Sequence, residues 1–174
     1  DVNKRHKEMS IKNTEIDILE KTIKSKEGIS NAIDAGRIVT AADSLGASKA
    51  MLDKAVEYSK ERKQFNRVIG SFQAVKHMCA EMASELEPCY SLVWHAAHSF
   101  DNNEKNIKLM ECHAKSHVSD VSKMVSKKAT EVHGGMGFTD LLGLHFWFKR
   151  IGVNRHILGS PEIVREEAAI AQNL

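Results

Sequence analysis

Between Glu61 and His77 the sequence reads ERKQFNRVIGSFQAVKH, and Arg62, Gln64, Arg67 and Gln73 crowd their donors into that short, glycine-punctuated stretch. A guanidinium offers a planar fork that bridges phosphate oxygens, and a glutamine amide can bond either edge of a ring system. A phosphorylated cofactor uses such a set. Arginines complementing the dipole of a solvated helix end account for the same residues without any ligand. A second group is EVHGGMGF, residues 131–138, whose three glycines let backbone amides approach a ligand closely. It ends a helix instead of opening one, so it is not a dinucleotide fingerprint, and a glycine cap is its structural use. A third is LGSPEI, residues 158–163, where a helix N-terminus can receive an anion or a carbonyl. Ser160 could add its hydroxyl there, and Glu162 could simply complement the dipole.

Nine histidines invite a metal. His113 and His117 share a helix face, but HAKSH lacks the glutamate of a zinc-protease helix and no third ligand follows. His95 and His98 read as residues of a bundle interface. No metal is expected. Cys79, Cys89 and Cys112 are odd in number and lack metal-ligand spacing, which reads as buried thiols of a reducing compartment.

The elements that position these groups are helices. Ile38, Ala42, Leu45, Leu52 and Val56 form an apolar stripe at helical period and predict one helix from Ile29 to about Lys63, some 50 Å long at ~1.5 Å per residue, with Ser30 as N-cap. Gly36 and Gly46 inside it point to close packing or ligand approach. Val75, Cys79, Met82, Leu86, Cys89, Val93, Ala96 and Phe100 alternate by four and three, the seam of a bundle helix with Pro88 as a kink. DNNEK, residues 101–105, is the polar turn after it. A third helix carries Ile107, Met110, Ala114, Val121, Val125, Ala129 and Val132 and stops at Gly134–Gly135. Residues 141–157 predict a short helix packed by Phe146, Trp147 and Phe148. Ser160 and Pro161 open a last helix with Ile163, Val164, Ala168 and Ala171 on its apolar face. Three long helices and a shorter fourth, closely connected, predict an all-α, antiparallel (up-down) four-helix bundle.

At 174 residues the chain can hold a core of its own, and 42% apolar with 28% charged residues is a globular balance. A net charge of +2 does not single out nucleic acid as a partner. No 18-residue apolar run is present, so no membrane span is expected, and the start resembles no signal peptide. The opening DVNKRHKEMS reads as the cut edge of something larger. Residues 1–27 are charged, with a short strand or helical turn around Ile16 and Ile18.

Taken in order, GRIVTAADSLGASKAMLDKAVEYSKERKQF (36–65), IGSFQAVKHMCAEM (69–82), EVHGGMGF (131–138) and GSPEI (159–163) resemble the carboxy-terminal bundle of the acyl-CoA dehydrogenase family. The resemblance covers residues 28–172. It implies a bundle domain at 28–174, with residues 1–27 leading in from a missing β domain. It also implies FAD as cofactor, an acyl-CoA substrate and oxidoreductase activity in lipid metabolism, with the fragment alone inactive. Family bundles assemble as a dimer of dimers, so a homo- or hetero-oligomer is expected. An electron-transfer flavoprotein is the expected electron acceptor, and the cytoplasm or a mitochondrial matrix the expected compartment.

Residue by residue, Arg62, Gln64 and Phe65 match the family's RxxF-type contact with the pyrophosphate of a neighbouring subunit's FAD, and Phe72 and Gln73 match the pair that follows. Glu131, Val132, His133, Gly134 and Gly135 match the QxxGG loop near the adenosine, with Glu131 where glutamine is usual. Gly159, Ser160 and Glu162 match the segment that touches the flavin. Asp34 and Arg37 match a D-x-x-R that contacts acyl-CoA.

The departure lies in the base. Dehydrogenation requires a group that reaches the substrate's α proton. The family supplies a glutamate either just before the glycine of the last motif or just before the first-helix arginine. Here those positions hold Leu158 and Gly36. The base would then come from a heteromeric partner, as in steroid-side-chain relatives with an HGGMGF loop. Other sources are a nearby carboxylate such as Asp34 or Asp140, or the missing domains. A flavin-dependent monooxygenase or oxidase needs no such base, and a non-catalytic oligomerisation module needs no flavin.

Overall fold

The computed structural model describes residues 26–174, so the strand or turn expected around Ile16 lies outside the described residues. The chain divides into a first unit, Asp1–Asp34, and a second, Ala35–Leu174. Among the described residues the helices are α1 (Lys26–Glu61), α2 (Gln73–Asp101), α3 (Ile107–His133), α4 (Leu144–His156) and α5 (Pro161–Ala171). A two-stranded hairpin, β1 (Lys63–Gln64) with β2 (Arg67–Val68), and a 3-10 turn at Ile69–Ser71 join α1 to α2. A second 3-10 turn, Gly134–Phe138, follows α3.

The four-and-three spacing in α2 is the face it buries: Met82, Leu86, Cys89 and Ala96 are closed to solvent and the other stripe residues are half-buried. Met82, Leu86 and Cys89 pack with Met51 and Ala55 of α1 and Val118, Val125 and Ala129 of α3, while Ala96 packs with Ile38 of α1 and Ala114 of α3. Burying each large side chain such as Leu86 contributes roughly 2 kcal/mol. The helix runs unbroken through Pro88. Leu144 and Ile151 bring α4 onto the same core, while Val164 and Ala168 of α5 pack with Cys112 of α3. No described helix is long and apolar enough to cross a membrane.

Four local expectations are corrected. Helix α1 starts at Lys26, so Ser30 lies inside it. The buried stripe of α1 runs through Ala41 and not Ala42, which is exposed. Gly46 has nothing within 4 Å of a Cβ built on it, whereas Gly36 is tightly opposed. Phe146 and Phe148 are exposed, and it is Trp147 that packs on the core. A 13-residue helix has room to bury only one face, and Leu144, Trp147 and Ile151 claim it.

Candidate functional site

Helix α1 ends at Glu61, and the chain turns back through a tight hairpin. Phe65 and Asn66 take φ of 52° and 62°, a two-residue turn with both centres left-handed. Asparagine suits that region; phenylalanine does not. The hairpin is therefore held from outside: the Phe65 ring meets Phe72 edge-on at 6.1 Å, and the Arg67 guanidinium lies 3.9 Å over the Phe72 ring. The 62–63 end of the hairpin is anchored by the Ile69 amide donating to the Arg62 carbonyl at 2.8 Å.

This turn carries Arg62 and Gln64 to the end of α3. There they share a cavity of about 420 Å³ with Glu131, Val132, His133, Gly134 and Gly135, walled by Tyr58, Ile69 and Met136. Two sequence groups separated by some seventy residues thus form one site. Arg62 is exposed and makes no ion pair among the described residues, so its charge is available to a ligand. Gly134 has φ 60° and ψ −142°, backbone that favours glycine. A Cβ on Gly134 or Gly135 would meet nothing within 4 Å, which leaves room for a ligand to approach the backbone. His133 stacks on Tyr58 with ring centroids 4.5 Å apart and bonds the Ala129 carbonyl through Nδ1 at 2.7 Å. Burial holds its pKa below the usual histidine value, so the imidazole stays neutral at pH 7. An unpaired guanidinium, an amide and open glycine backbone fit a phosphorylated dinucleotide such as FAD. Phe72 and Gln73 do not line this cavity: Phe72 braces the hairpin, and the Gln73 amide bonds His77 Nε2 at 3.1 Å.

The third group lies elsewhere. Leu158 and Gly159 form a left-handed turn, φ 60° and 111°, between α4 and α5. Ser160 occupies the N-cap of α5 and Pro161 its first position. Glu162 is drawn below the usual carboxylate range by the Ser160 hydroxyl, and it also pairs with Arg155 at 3.1 Å. The turn faces the early part of α1. A methyl on Gly36 would overlap Leu158 Cδ1, so the two positions expected to hold a glutamate are in contact, one empty and one filled by hydrocarbon. From Arg37 to Glu61 is about 36 Å along α1 at ~1.5 Å per residue. The Leu158 turn and the Arg62 cavity therefore sit at well-separated levels of one bundle.

Arg37 is 3% exposed. Its Nε donates to the Leu158 carbonyl at 2.7 Å; Nη1 donates to Glu111 at 3.0 Å and to Glu167 at 2.7 Å; Nη2 donates to Glu167 at 2.8 Å. Lys108 completes the set, 2.9 Å from Glu111 and 3.0 Å from Glu167. The Arg37 hydrogen bonds hold Glu167 down to about 2, whereas burial raises Glu111. The Arg37 donors are turned inward, onto Leu158, Glu111 and Glu167. Asp34 is buried. Asp140 is almost wholly exposed and pairs with His145 at 3.4 Å.

Composition and periodicity had passed over Glu111 and Lys115. Both fall in the buried phase of α3, four residues apart between Ile107 and Val118, and a charge in that phase was the available signal. Lys115 is 1% exposed and donates to the Asn154 carbonyl and, at 3.2 Å, to Thr40 Oγ1. Glu111, Cys112 and Glu167 offer ligand atoms within 4.8 Å of one another, yet Arg37 and Lys108 already neutralise the carboxylates. Burial pushes the Cys112 thiol up to about 12. All three cysteines are free thiols.

In this helical bundle an arginine, a glutamine and a glycine loop converge on one cavity. The chain belongs to the acyl-CoA dehydrogenase family: residues 27–173 match the family's model "Acyl-CoA dehydrogenase, C-terminal domain". It is 41% identical over 115 residues to the caffeyl-CoA reductase–Etf complex subunit CarC of Acetobacterium woodii, covering 64% of this chain and 30% of that one. It is 34% identical over 142 residues to a 3-(aryl)acrylate reductase of Clostridium sporogenes, covering 82% and 37%. Its fold matches butyryl-CoA dehydrogenase of Megasphaera elsdenii with a TM-score of 0.82 and 28% identity, over 87% of this chain and 39% of the other. The chain thus spans about a third of the length of the curated relatives it matches. Homologues in this family are FAD-dependent oxidoreductases.

Proposed function

We propose that this chain is the carboxy-terminal bundle of an FAD-dependent oxidoreductase acting on an acyl-CoA, in which the cofactor is shared between subunits. The carrying observation is the cavity that joins Arg62 and Gln64 to Glu131, Val132, His133, Gly134 and Gly135. Arg62 would bind the pyrophosphate, and the glycine backbone would bond the adenosine half. Gly159, Ser160 and Glu162 would face a flavin, but about 36 Å along α1 separates Arg37 beside them from Glu61 next to Arg62. A single dinucleotide does not bridge that separation, which favours one protomer's Arg62 serving a neighbour's cofactor. When bound, FAD would accept or return the hydride; the residues of this chain orient it and exclude water.

Neither Leu158 nor Gly36 can take a proton, so the α-proton base would come from a heteromeric partner, from a nearby carboxylate such as Asp34 or Asp140, or from another domain of the same protein. The names of two relatives point to α,β-unsaturated aryl substrates reduced at the same bond, with an electron-transfer flavoprotein as redox partner. The test is the full-length protein. It should purify with flavin absorbance, and Arg62→Ala should release FAD about tenfold more readily, the loss of one charge-assisted hydrogen bond. A colourless protein that takes up no FAD would end the cofactor assignment. Leu158 on Gly36 also suits an oxidase or monooxygenase. Bleaching by acyl-CoA without oxygen favours dehydrogenation, and turnover that needs oxygen and a flavin reductase favours the second reading.

A further inference from the structure

We propose that Arg37 is a positioning residue: it fixes the Leu158–Ser160 turn, and so the backbone that faces the flavin, instead of contacting acyl-CoA. The flavin half of this statement rests on the function proposed above. The turn half rests on the geometry of the chain alone.

The turn needs holding. Leu158 and Gly159 are consecutive left-handed residues, and leucine disfavours that region unless its surroundings impose it. Three contacts impose it here. The Leu158 side chain lies in the notch left by Gly36, where any Cβ would overlap Cδ1. Its carbonyl accepts from Arg37 Nε at 2.7 Å. The face of Gly159 is closed by Arg37 Nη2 and Val164 Cγ2, at 3.1 and 3.2 Å from the place a Cβ would take. Two of the three contacts belong to one guanidinium.

That guanidinium is itself fixed from two further helices. Glu167 of α5 grips it through both oxygens, and Glu111 of α3 accepts from Nη1. Lys108 bridges the two carboxylates from the other side. Arg37 thereby ties α1, α3 and α5 to one carbonyl. A lysine would keep the charge for Glu111 and Glu167 but could not present a planar fork with an Nε–H aimed at Leu158. Truncating the turn's hold should therefore loosen residues 157–160 and leave the core of α3 as it was.

The experiment uses full-length protein carrying Arg37→Lys or Glu167→Gln. Amide hydrogen exchange of the flavin-free protein is read first. For Arg37→Lys the amides of 157–160 should exchange about tenfold faster while those of 118–129 do not change, as a local opening requires. Glu167→Gln, which leaves the Leu158 bond but frees the guanidinium, should give a smaller rise at the same amides. FAD affinity and the flavin absorbance bands are read second: Arg37→Lys should weaken FAD about tenfold and shift the bands. Unchanged exchange at 157–160 in either variant overturns the proposal, and so does a rise spread equally over all helices. Faster exchange with unaltered FAD affinity and spectrum also overturns it, since the turn would then be held for the fold alone. Should Arg37→Lys fail to fold, Glu167→Gln carries the same two readings. A wild-type protein that binds no FAD refutes the proposed function instead, and the exchange result separates that failure from this one.

Discussion

Lys115 offers a prediction that can be worked from the structure. Its ammonium is 1% exposed, wedged between the Asn154 carbonyl near the end of α4 and Thr40 of α1. Burial, reinforced by the charges of Arg37 and Arg155 and opposed by Glu111, pulls its pKa from 10.5 down to about 8. At ~1.4 kcal/mol per pH unit, that gap corresponds to about 3 kcal/mol. The folded state gives up this proton near pH 8 and the unfolded state only near 10.5. Between those values the unfolded chain holds more protons, so the contribution of Lys115 to stability rises with pH across the window and is flat below it.

Lys115→Met keeps the length of the side chain and removes the titration. Near pH 7 it relieves the buried charge but leaves the Asn154 carbonyl without its donor, a cost of ~1–3 kcal/mol. Those effects oppose, so the net change at pH 7 is small. The pH slope is the diagnostic: wild type should gain roughly 3 kcal/mol between pH 8 and 10.5 relative to the variant. Urea unfolding of both proteins at pH 7, 8, 9 and 10, extrapolated linearly, measures it. Parallel stability curves would refute the assignment of a buried, charged Lys115.

Glu167, held down to about 2 chiefly by Arg37, stabilises the fold above the ordinary carboxylate pKa of 4.5 and loses that contribution as pH falls toward 2, so Glu167→Gln should flatten the acid limb of the same unfolding series. Gly70→Ala brings a Cβ within 2.9 Å of the Ser59 carbonyl in helix backbone, which cannot yield cheaply, and should cost ~1–3 kcal/mol in the urea midpoint. Leu158→Glu places a carboxylate against Gly36; anaerobic bleaching of the flavin by acyl-CoA should be faster in the variant than in the wild type, and no gain would refute position 158 as a place from which a base can act.

The helices were readable because burial writes a period into the chain. The seam from Val75 to Phe100 in α2 is the clearest case, and the stop of α3 at Gly134 is marked by a glycine with positive φ. The convergence of Arg62 with Glu131–Gly135 was accessible only through resemblance, since no local pattern says that the end of α1 lies beside the end of α3. The hairpin at Phe65–Asn66 was missed because its turn lacks glycine and is imposed by Phe72 and Arg67. Arg37 was assigned by motif to a substrate. The partners it takes within the chain were not legible, because they come from Glu111, Leu158 and Glu167, far along the sequence.

The two positions at which the resemblance implies a glutamate, 36 and 158, are in contact. In this fold they are the same place: a side chain on one fills the space of the other. A glutamate at 158 needs position 36 to be small, and a glutamate at 36 needs position 158 to withdraw. Moving the base is therefore a paired exchange. Gly36→Glu alone should collide with Leu158, whereas Leu158→Glu meets a neighbour that is already glycine. This chain retains the small partner that a glutamate at 158 requires and carries leucine instead. Leu158 fills the notch beside Gly36, and Arg37 Nε holds its carbonyl at 2.7 Å.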